Sequence, residues 1–106
     1  MKTSAILKLF KDLVAAENLA DPEVYLFGSR ARKDNTRNSD WDFLILSDKK
    51  LSPRNSLDIK NNLCMKFHNN VFYPIDILIK DKKTFSQEKN IPNTIAFAAA
   101  KEGLKL

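Results

Sequence analysis

The chain contains few residues of several types, and each scarcity narrows what the protein can be. Its 106 residues include one cysteine, one histidine, four prolines and two glycines. Cys64 has no partner for an internal disulfide, which excludes a disulfide-stapled scaffold and is typical of a reducing compartment. We expect the lone His68, at the end of a predicted helix, to cap that helix or to face solvent.

Long apolar runs are also missing. No stretch approaches the roughly 20 apolar residues that a membrane-spanning helix needs. Lys8, Lys11 and Asp12 interrupt the N-terminal segment, so it does not have the pattern of a signal peptide. The length and the 43% hydrophobic content fit one globular domain over residues 1–106. We therefore expect a cytoplasmic protein with no membrane segment.

Positive charge exceeds negative charge. The chain has 18 lysines and arginines against 13 aspartates and glutamates, for a formal net charge of +5. This balance favours anionic partners such as nucleotides, nucleic acid or an acidic protein. Most lysines are scattered, as on solvated helix faces. Four basic residues are instead concentrated in one predicted loop: Arg30, Arg32, Lys33 and Arg37.

Hydrophobic periodicity predicts alternating helices and strands in the order α-β-α-β-α-β-α. Ser29 is a candidate N-cap for a short second helix, and Ser52-Pro53 has the pattern of a helix start. In the third helix, Leu57, Leu63, Cys64 and Phe67 predict the apolar face. The predicted helices cover 4–18, 30–33, the segment after Ser52 and the segment from Pro92 to Gly103; the strands cover 23–27, 40–46 and 71–79.

This order predicts a mixed α/β (α+β) fold, with a small sheet of about three strands flanked by helices. Apolar runs rather than strict alternation suggest strands that are buried on both faces. The pattern leaves open whether neighbouring strands are parallel or antiparallel.

Three aspartates interrupt the predicted strands, where aspartate is disfavoured. Asp40 and Asp42 lie two residues apart in "DWDFLIL", on one face of a strand, and Asp76 lies within "FYPIDILIK". If the third strand neighbours the second, the three carboxylates form one cluster. Such a cluster repels itself unless a cation intervenes, and Mg²⁺ prefers carboxylate, water and phosphate oxygens. Alternatives are a loop position for Asp40 and an arginine salt bridge for Asp42.

The turn before these aspartates has the pattern of an anion site. Gly28-Ser29 lies between a strand and a helix, where backbone N–H groups point at a bound anion. Gly28 allows close approach of the backbone, and the Ser29 hydroxyl can donate a hydrogen bond. Arg30 or Arg32 can neutralise phosphate oxygens. A phosphate-binding turn beside a metal-binding cluster predicts a site for a nucleoside triphosphate with Mg²⁺, although no Walker-type loop is present.

This pattern resembles the minimal nucleotidyltransferases of the DNA polymerase beta superfamily, whose signature is Gly-Ser, ten residues, then Asp-x-Asp. The chain has Gly28-Ser29, residues 30–39, then Asp40-Trp41-Asp42, with a third carboxylate at Asp76. Its last segment, "IPNTIAFAAAKEGLKL", is similar to the terminal helix of that family. The resemblance covers nearly the full chain.

The resemblance implies transfer of a nucleoside monophosphate, which we take to be AMP from ATP, to an acceptor hydroxyl with release of pyrophosphate. It implies that Asp40 and Asp42 hold two Mg²⁺ ions, and that Asp76 binds the second ion and helps to take the acceptor's proton. Ser29 and Arg30 would contact the departing pyrophosphate, with Arg32 as the weaker candidate. Gly28 would belong to the same nucleotide-binding set.

The resemblance also implies a partner. Similar minimal chains are antitoxins that adenylylate a tyrosine on a HEPN-domain ribonuclease toxin, so a HEPN toxin is the expected acceptor. One alternative is an antitoxin that neutralises its toxin by binding alone. Another is direct nucleic-acid binding through the basic loop, which the sequence disfavours because it has no basic stripe interleaved with aromatics.

Overall fold

The computed structural model describes all 106 residues, which form five helices and four strands. The helices are α1 (Thr3–Ala15), α2 (Ser29–Arg32), α3 (Pro53–His68), α4 (Lys82–Glu88) and α5 (Ile95–Glu102); the strands are β1 (Glu23–Phe27), β2 (Trp41–Ser47), β3 (Ile75–Asp81) and β4 (Leu104–Lys105).

The four strands form one mixed sheet in the order β3-β2-β1-β4. Strand β2 is parallel to β3 and antiparallel to β1, and β4 is antiparallel to β1. The predicted fold class is thus confirmed, with one more strand than expected. The sheet's directions follow from the connections, because the α3 crossover between β2 and β3 permits a parallel pair while the shorter loop through α2 joins an antiparallel pair.

The two faces of the sheet carry different helices. Alternate residues of β2 point to opposite faces. Trp41, Phe43 and Ile45 pack with α1 and α3 in the larger apolar cluster, where the rings of Phe10 and Phe43 stack with centroids 3.8 Å apart. Leu44 and Leu46 form a smaller cluster with α4 and α5 through Phe85 and Ala99. Burial on both faces confirms that prediction for β2 only. Buried and half-buried residues alternate in β1, and Ile77 is the one buried residue of β3.

Several local predictions differ from the structure. The third strand begins at Ile75 rather than residue 71, because the Val71 N–H still bonds to the Phe67 carbonyl at the end of α3. Helix α4 was not predicted. Gly28, not Ser29, is the N-cap of α2, which starts one residue earlier than expected. Leu57 is 56% exposed and does not belong to the core.

Two other predicted helix boundaries agree with the structure, the start of α3 and the end of α5. The Ser52 hydroxyl accepts a hydrogen bond from the Asn55 N–H at 3.1 Å, with Pro53 in the first turn of α3. Gly103 follows α5 directly. None of the helices is both long and apolar enough to cross a membrane.

Candidate active site

Three of the predicted site residues, Gly28, Asp42 and Asp76, lie together at one edge of the sheet. Strand β1 ends at Phe27, opposite Asp42 near the start of the antiparallel β2. Asp42 in turn lies opposite Asp76 in the parallel β2–β3 pair. Paired residues of neighbouring strands share a face, so Asp42 and Asp76 lie side by side on the face that carries α4 and α5. The condition for one acidic cluster, that β3 neighbours β2, is met.

Gly28 is required by its contact with Asp42. Its φ of +76° lies in the left-handed region that favours glycine. A Cβ at this position would collide with the Oδ2 atom of Asp42. The turn between β1 and α2 therefore presses against the carboxylate of Asp42, and one of the two glycines in the chain is needed to allow it.

The three aspartates differ in exposure. Asp42 is half-buried, whereas Asp40 and Asp76 are exposed. Burial, and then the negative charges of Asp76 and Asp40, raise the pKa of Asp42 above its ordinary value. Arg32 opposes this rise in the pKa only in part. The negative charge around Asp42 is therefore only partly compensated, which favours a cation.

The donor set fits a hard divalent ion. Carboxylate oxygens are the ligands that Mg²⁺ prefers, and Asp42 and Asp76 adjoin in register. No group of three histidine, cysteine, aspartate or glutamate side chains is gathered closely enough to hold a metal ion as it stands. Asp40 precedes β2 and lies at the end of the loop, which agrees with the alternative of a loop position for this residue. Metal binding by all three would thus need a change of side-chain position.

Arg30 is engaged away from the aspartates. Its guanidinium lies 4.1 Å from the centroid of the Trp41 ring and 5.5 Å from that of Tyr73. It donates hydrogen bonds to the Ser39 carbonyl at 2.9 and 3.1 Å and to the Arg37 carbonyl at 3.3 Å. Trp41 belongs to the face of β2 opposite to Asp42, so Arg30 holds together the loops that carry the site.

Arg32 is on the side of the aspartates but is also paired. Its guanidinium bonds to Glu102 at 3.0 and 3.2 Å and to Asp34 at 3.1 Å. These carboxylates raise the pKa of Arg32 above its ordinary value. Ser29 is half-buried at the first position of α2. Of the predicted phosphate ligands, Gly28 and Arg32 thus lie near Asp42, whereas Arg30 lies against Trp41. Ser29 directly follows Gly28 in the turn.

Sequence reasoning missed Glu102. It lies at the end of α5, yet its carboxylate accepts a hydrogen bond from the Gly28 N–H at 3.2 Å, across 74 positions of the sequence. One signal was present, because a carboxylate at the C-terminal end of a helix is disfavoured by the helix dipole and so invites an explanation.

The remaining residues of interest have structural positions. Trp41 is 1% exposed and belongs to the core, and no partner hydrogen-bonds its indole N–H. The Nδ1 atom of the exposed His68 lies 3.0 Å from the Val71 carbonyl, next to the end of α3. Cys64 is half-buried and free, and burial raises the pKa of its thiol.

The sequence as a whole matches one family. The sequence model of the family described as "Polymerase beta, Nucleotidyltransferase" matches residues 15–102. No curated protein matches the chain in sequence.

Solved structures share the fold. A crystal structure of a toxin-antitoxin with AMP-PNP superposes with a TM-score of 0.59 and 20% identity, over 99% of this chain and 72% of that chain. A variant of the toxin-antitoxin MntA-HpeT gives a TM-score of 0.56 and 20% identity, over 100% and 72%. A Sulfolobus solfataricus protein gives 0.56 and 19%, over 96% and 82%.

Proposed function

Because the chain belongs to the polymerase beta nucleotidyltransferase family, we propose that it transfers AMP from ATP to a hydroxyl on a partner protein. The observation that carries this proposal is the arrangement of Gly28, Asp42 and Asp76 at one edge of the sheet. It places a turn suited to phosphate against a pair of carboxylates suited to a metal ion.

In this proposal Asp40, Asp42 and Asp76 bind two Mg²⁺ ions. Bound Mg²⁺ would neutralise charge on the triphosphate and make the acceptor oxygen more nucleophilic. The raised pKa of Asp42 supports the assignment, because a carboxylate destabilised by its neighbours gains most from a cation.

The chain's own groups have separate tasks. Ser29 and Arg32, at the turn, hold the β- and γ-phosphates, while Arg30 fixes the loop that carries Asp40. The acceptor hydroxyl oxygen forms a bond to the α-phosphorus, and its proton passes to Asp76. The bond from the α-phosphorus to the bridging oxygen breaks, and its electron pair leaves with pyrophosphate.

We further propose that the acceptor is a HEPN-domain toxin and that the chain is its antitoxin. None of the cavities in the structure is lined by Asp40, Asp42 or Asp76. An open site of this kind suits a hydroxyl presented by a macromolecule better than an enclosed small molecule. The structural neighbours described as toxin-antitoxin, one of them with AMP-PNP, support the same choice.

A second candidate is an antitoxin that neutralises its toxin by binding alone. The observation that favours it is that the three aspartates are not gathered into a ready metal site. The two candidates differ in one product, because only the enzyme leaves AMP covalently attached to its partner.

The test is co-expression with a HEPN-domain partner, followed by mass spectrometry of that partner. We expect mass increments of whole AMP units with the wild-type chain and none with Asp42→Asn. Calorimetry provides the second readout, since ATP should bind in Mg²⁺ and lose most of its affinity when a chelator is added. An unmodified, neutralised partner would favour the binding-only antitoxin.

A further inference from the structure

Glu102 connects the C-terminal segment to the turn that carries Gly28. Its carboxylate accepts hydrogen bonds from the Gly28 N–H at 3.2 Å and from Arg32 Nη1 at 3.0 and 3.2 Å. The Glu102 side chain is 22% exposed, whereas that of Arg32 is 45% exposed. One carboxylate thus holds two of the groups assigned to the phosphate side of the site.

The position of Glu102 is electrostatically unfavourable in two respects. It lies at the C-terminal end of α5, where the helix dipole disfavours negative charge. Its charge also helps to raise the pKa of Asp42. The bonds from Gly28 and Arg32 offset these costs, so the three residues form one electrostatic unit.

Hydrogen bonds hold the backbone that follows Glu102, first to α5 and then to β1. The Gly103 N–H bonds to the Ala99 carbonyl at 2.8 Å, and a Cβ at Gly103 would collide with that carbonyl oxygen. Beyond it, β4 pairs with β1, and the Leu106 N–H bonds to the Val24 carbonyl at 2.8 Å. Glu102 is therefore a carboxylate on a rigid support rather than on a loose tail.

We propose that Glu102 is a positioning residue of the nucleotide site. It fixes the backbone of the Gly28 turn and orients the Arg32 guanidinium, so that Ser29 and Arg32 meet the distal phosphates. This inference rests on the proposed function. It also reassigns the Gly28 N–H from phosphate binding to the support of the turn.

The test compares Glu102→Gln with Glu102→Ala. An amide oxygen still accepts the Gly28 N–H but lacks the charge that holds Arg32. In Mg²⁺, Glu102→Ala should weaken ATP binding by about tenfold or more, the scale of one hydrogen bond to a charged group, and should leave AMP binding within about twofold. Glu102→Gln should recover part of the ATP affinity. Glu88→Gln, which alters a glutamate paired with Lys80, is the matched control.

A spectroscopic readout follows the turn itself. Phe27-Gly28 is the only Phe-Gly pair in the chain, so labelling phenylalanine carbonyls with ¹³C and glycine amides with ¹⁵N selects the Gly28 amide. Its resonance should move strongly in Glu102→Ala, less in Glu102→Gln and not in Glu88→Gln.

Several results would overturn the inference. Tighter ATP binding in Glu102→Ala would mean that the carboxylate competes with phosphate. Equal losses of ATP and AMP affinity with a lower Tm would mean a structural role only. ATP affinity unchanged in both variants would overturn the role of Glu102 alone, whereas a wild-type chain that binds no nucleotide would overturn the proposed function as well.

Discussion

Two carboxylate clusters lie at opposite edges of the same sheet. The site edge consists of Gly28, Asp40, Asp42 and Asp76, where β1 ends and where β2 and β3 begin. The lysine edge consists of Asp21, Glu23, Asp48 and Lys82, roughly 20 Å away at the other end of a seven-residue strand. There the Lys82 Nζ lies 2.9 Å from Asp21, 3.3 Å from Glu23 and 3.0 Å from Asp48.

The two edges shift the pKa values of their carboxylates in opposite directions. At the lysine edge, a hydrogen bond from Tyr25 and then the interactions with Lys82 and Lys105 lower the pKa of Glu23 despite its partial burial. The surrounding carboxylates raise the pKa of Lys82. At the site edge, burial and the neighbouring aspartates raise the pKa of Asp42.

The comparison teaches that a cluster of carboxylates is not by itself a sign of a site. Several carboxylates lie at each edge, but only at the lysine edge does one cation pair with three of them. No cation pairs in this way with the aspartates of the site edge, and such unbalanced negative charge is expected where a metal ion with its triphosphate binds.

The largest expected effect is that of Asp76→Asn on transfer. The change is nearly isosteric, so β3 should keep its packing, while transfer to the acceptor should fall at least about a hundredfold. Without metal, the variant should be as stable as the wild type or more so, because a repelling charge is removed. The measurements are AMP incorporation and the Tm of the metal-free protein.

The gain in stability expected for metal-free Asp76→Asn should depend on pH. The raised pKa of Asp42 means that its contribution to stability is full below its ordinary value of 3.8 and is lost as pH rises through the folded value. The gain from Asp76→Asn should therefore be present at pH 7 and vanish in acid. Asp58→Asn, which removes a carboxylate at an exposed position of α3, is the matched control. A sharp drop in Tm with transfer retained would make Asp76 structural.

The second effect concerns Lys82→Met, which removes the cation of the lysine edge. Three carboxylates are then left without their shared partner, so we expect a clear drop in Tm at pH 7. Wild-type Glu23, with its lowered pKa, stabilises the fold above its ordinary value of 4.5 and loses this contribution as pH falls. In the variant this contribution should be smaller, because the Lys82 interactions are lost while the Tyr25 hydrogen bond remains. The difference in Tm between wild type and variant should therefore shrink in acid.

Exposed Lys83 offers the control for this experiment, because Lys83→Met removes a charge of the same sign one residue away. Transfer should persist in both lysine variants under conditions where they are folded. A loss of transfer in folded Lys82→Met would mean that the two edges are not separate in function.

The third effect distinguishes support from direct contact at the site edge. Arg30→Ala removes the contacts with Trp41 and the loop carbonyls, and should destabilise the protein by about 1–3 kcal/mol. If Arg30 supports the loop, ATP and AMP affinities should fall together. A selective loss of ATP affinity would instead restore its predicted contact with the distal phosphates. Arg37→Ala, at an exposed position of the same loop, is the control in both denaturation and calorimetry.

The smallest effect is expected for Tyr25→Phe. The Tyr25 hydroxyl donates to Glu23 at 2.9 Å, and this bond is the largest cause of the lowered Glu23 pKa. Its loss should cost about 0.5–1 kcal/mol at neutral pH, at the low end for a hydrogen bond because the pair is partly solvated. The cost should vanish as Glu23 is protonated. Denaturant titrations at two pH values measure this, and an undiminished cost in acid would assign it to packing.

Much of the site edge could be predicted from residue types and local spacing. The apolar run of β2 predicted a buried strand, and the aspartates at the starts of two strands predicted that their carboxylates would meet if the strands were neighbours. The Gly28-Ser29 pair predicted a turn between a strand and a helix, which is where it lies, between β1 and α2. Leu57 shows the limit of periodicity, because an apolar residue on the expected face is left exposed when no element covers it.

The tasks of the arginines could not be predicted from spacing. Arg30 and Arg32 are two residues apart on a one-turn helix, and neither periodicity nor charge indicates which one faces Asp42. The structure decides through the alternation of Trp41 and Asp42 across the faces of β2, because the ring of Trp41 holds Arg30.

By itself, the sequence determined the fold class, the family and the chemistry of the candidate ligands, because these depend on residue types and on spacings within single elements. The tertiary structure alone decided which charges are neutralised. Lys82 meets Asp21 across 61 positions, and Glu102 meets Gly28 across 74. Such pairs depend on strand order and helix placement, and the energy of a charge depends on the partners and the burial that these bring to it.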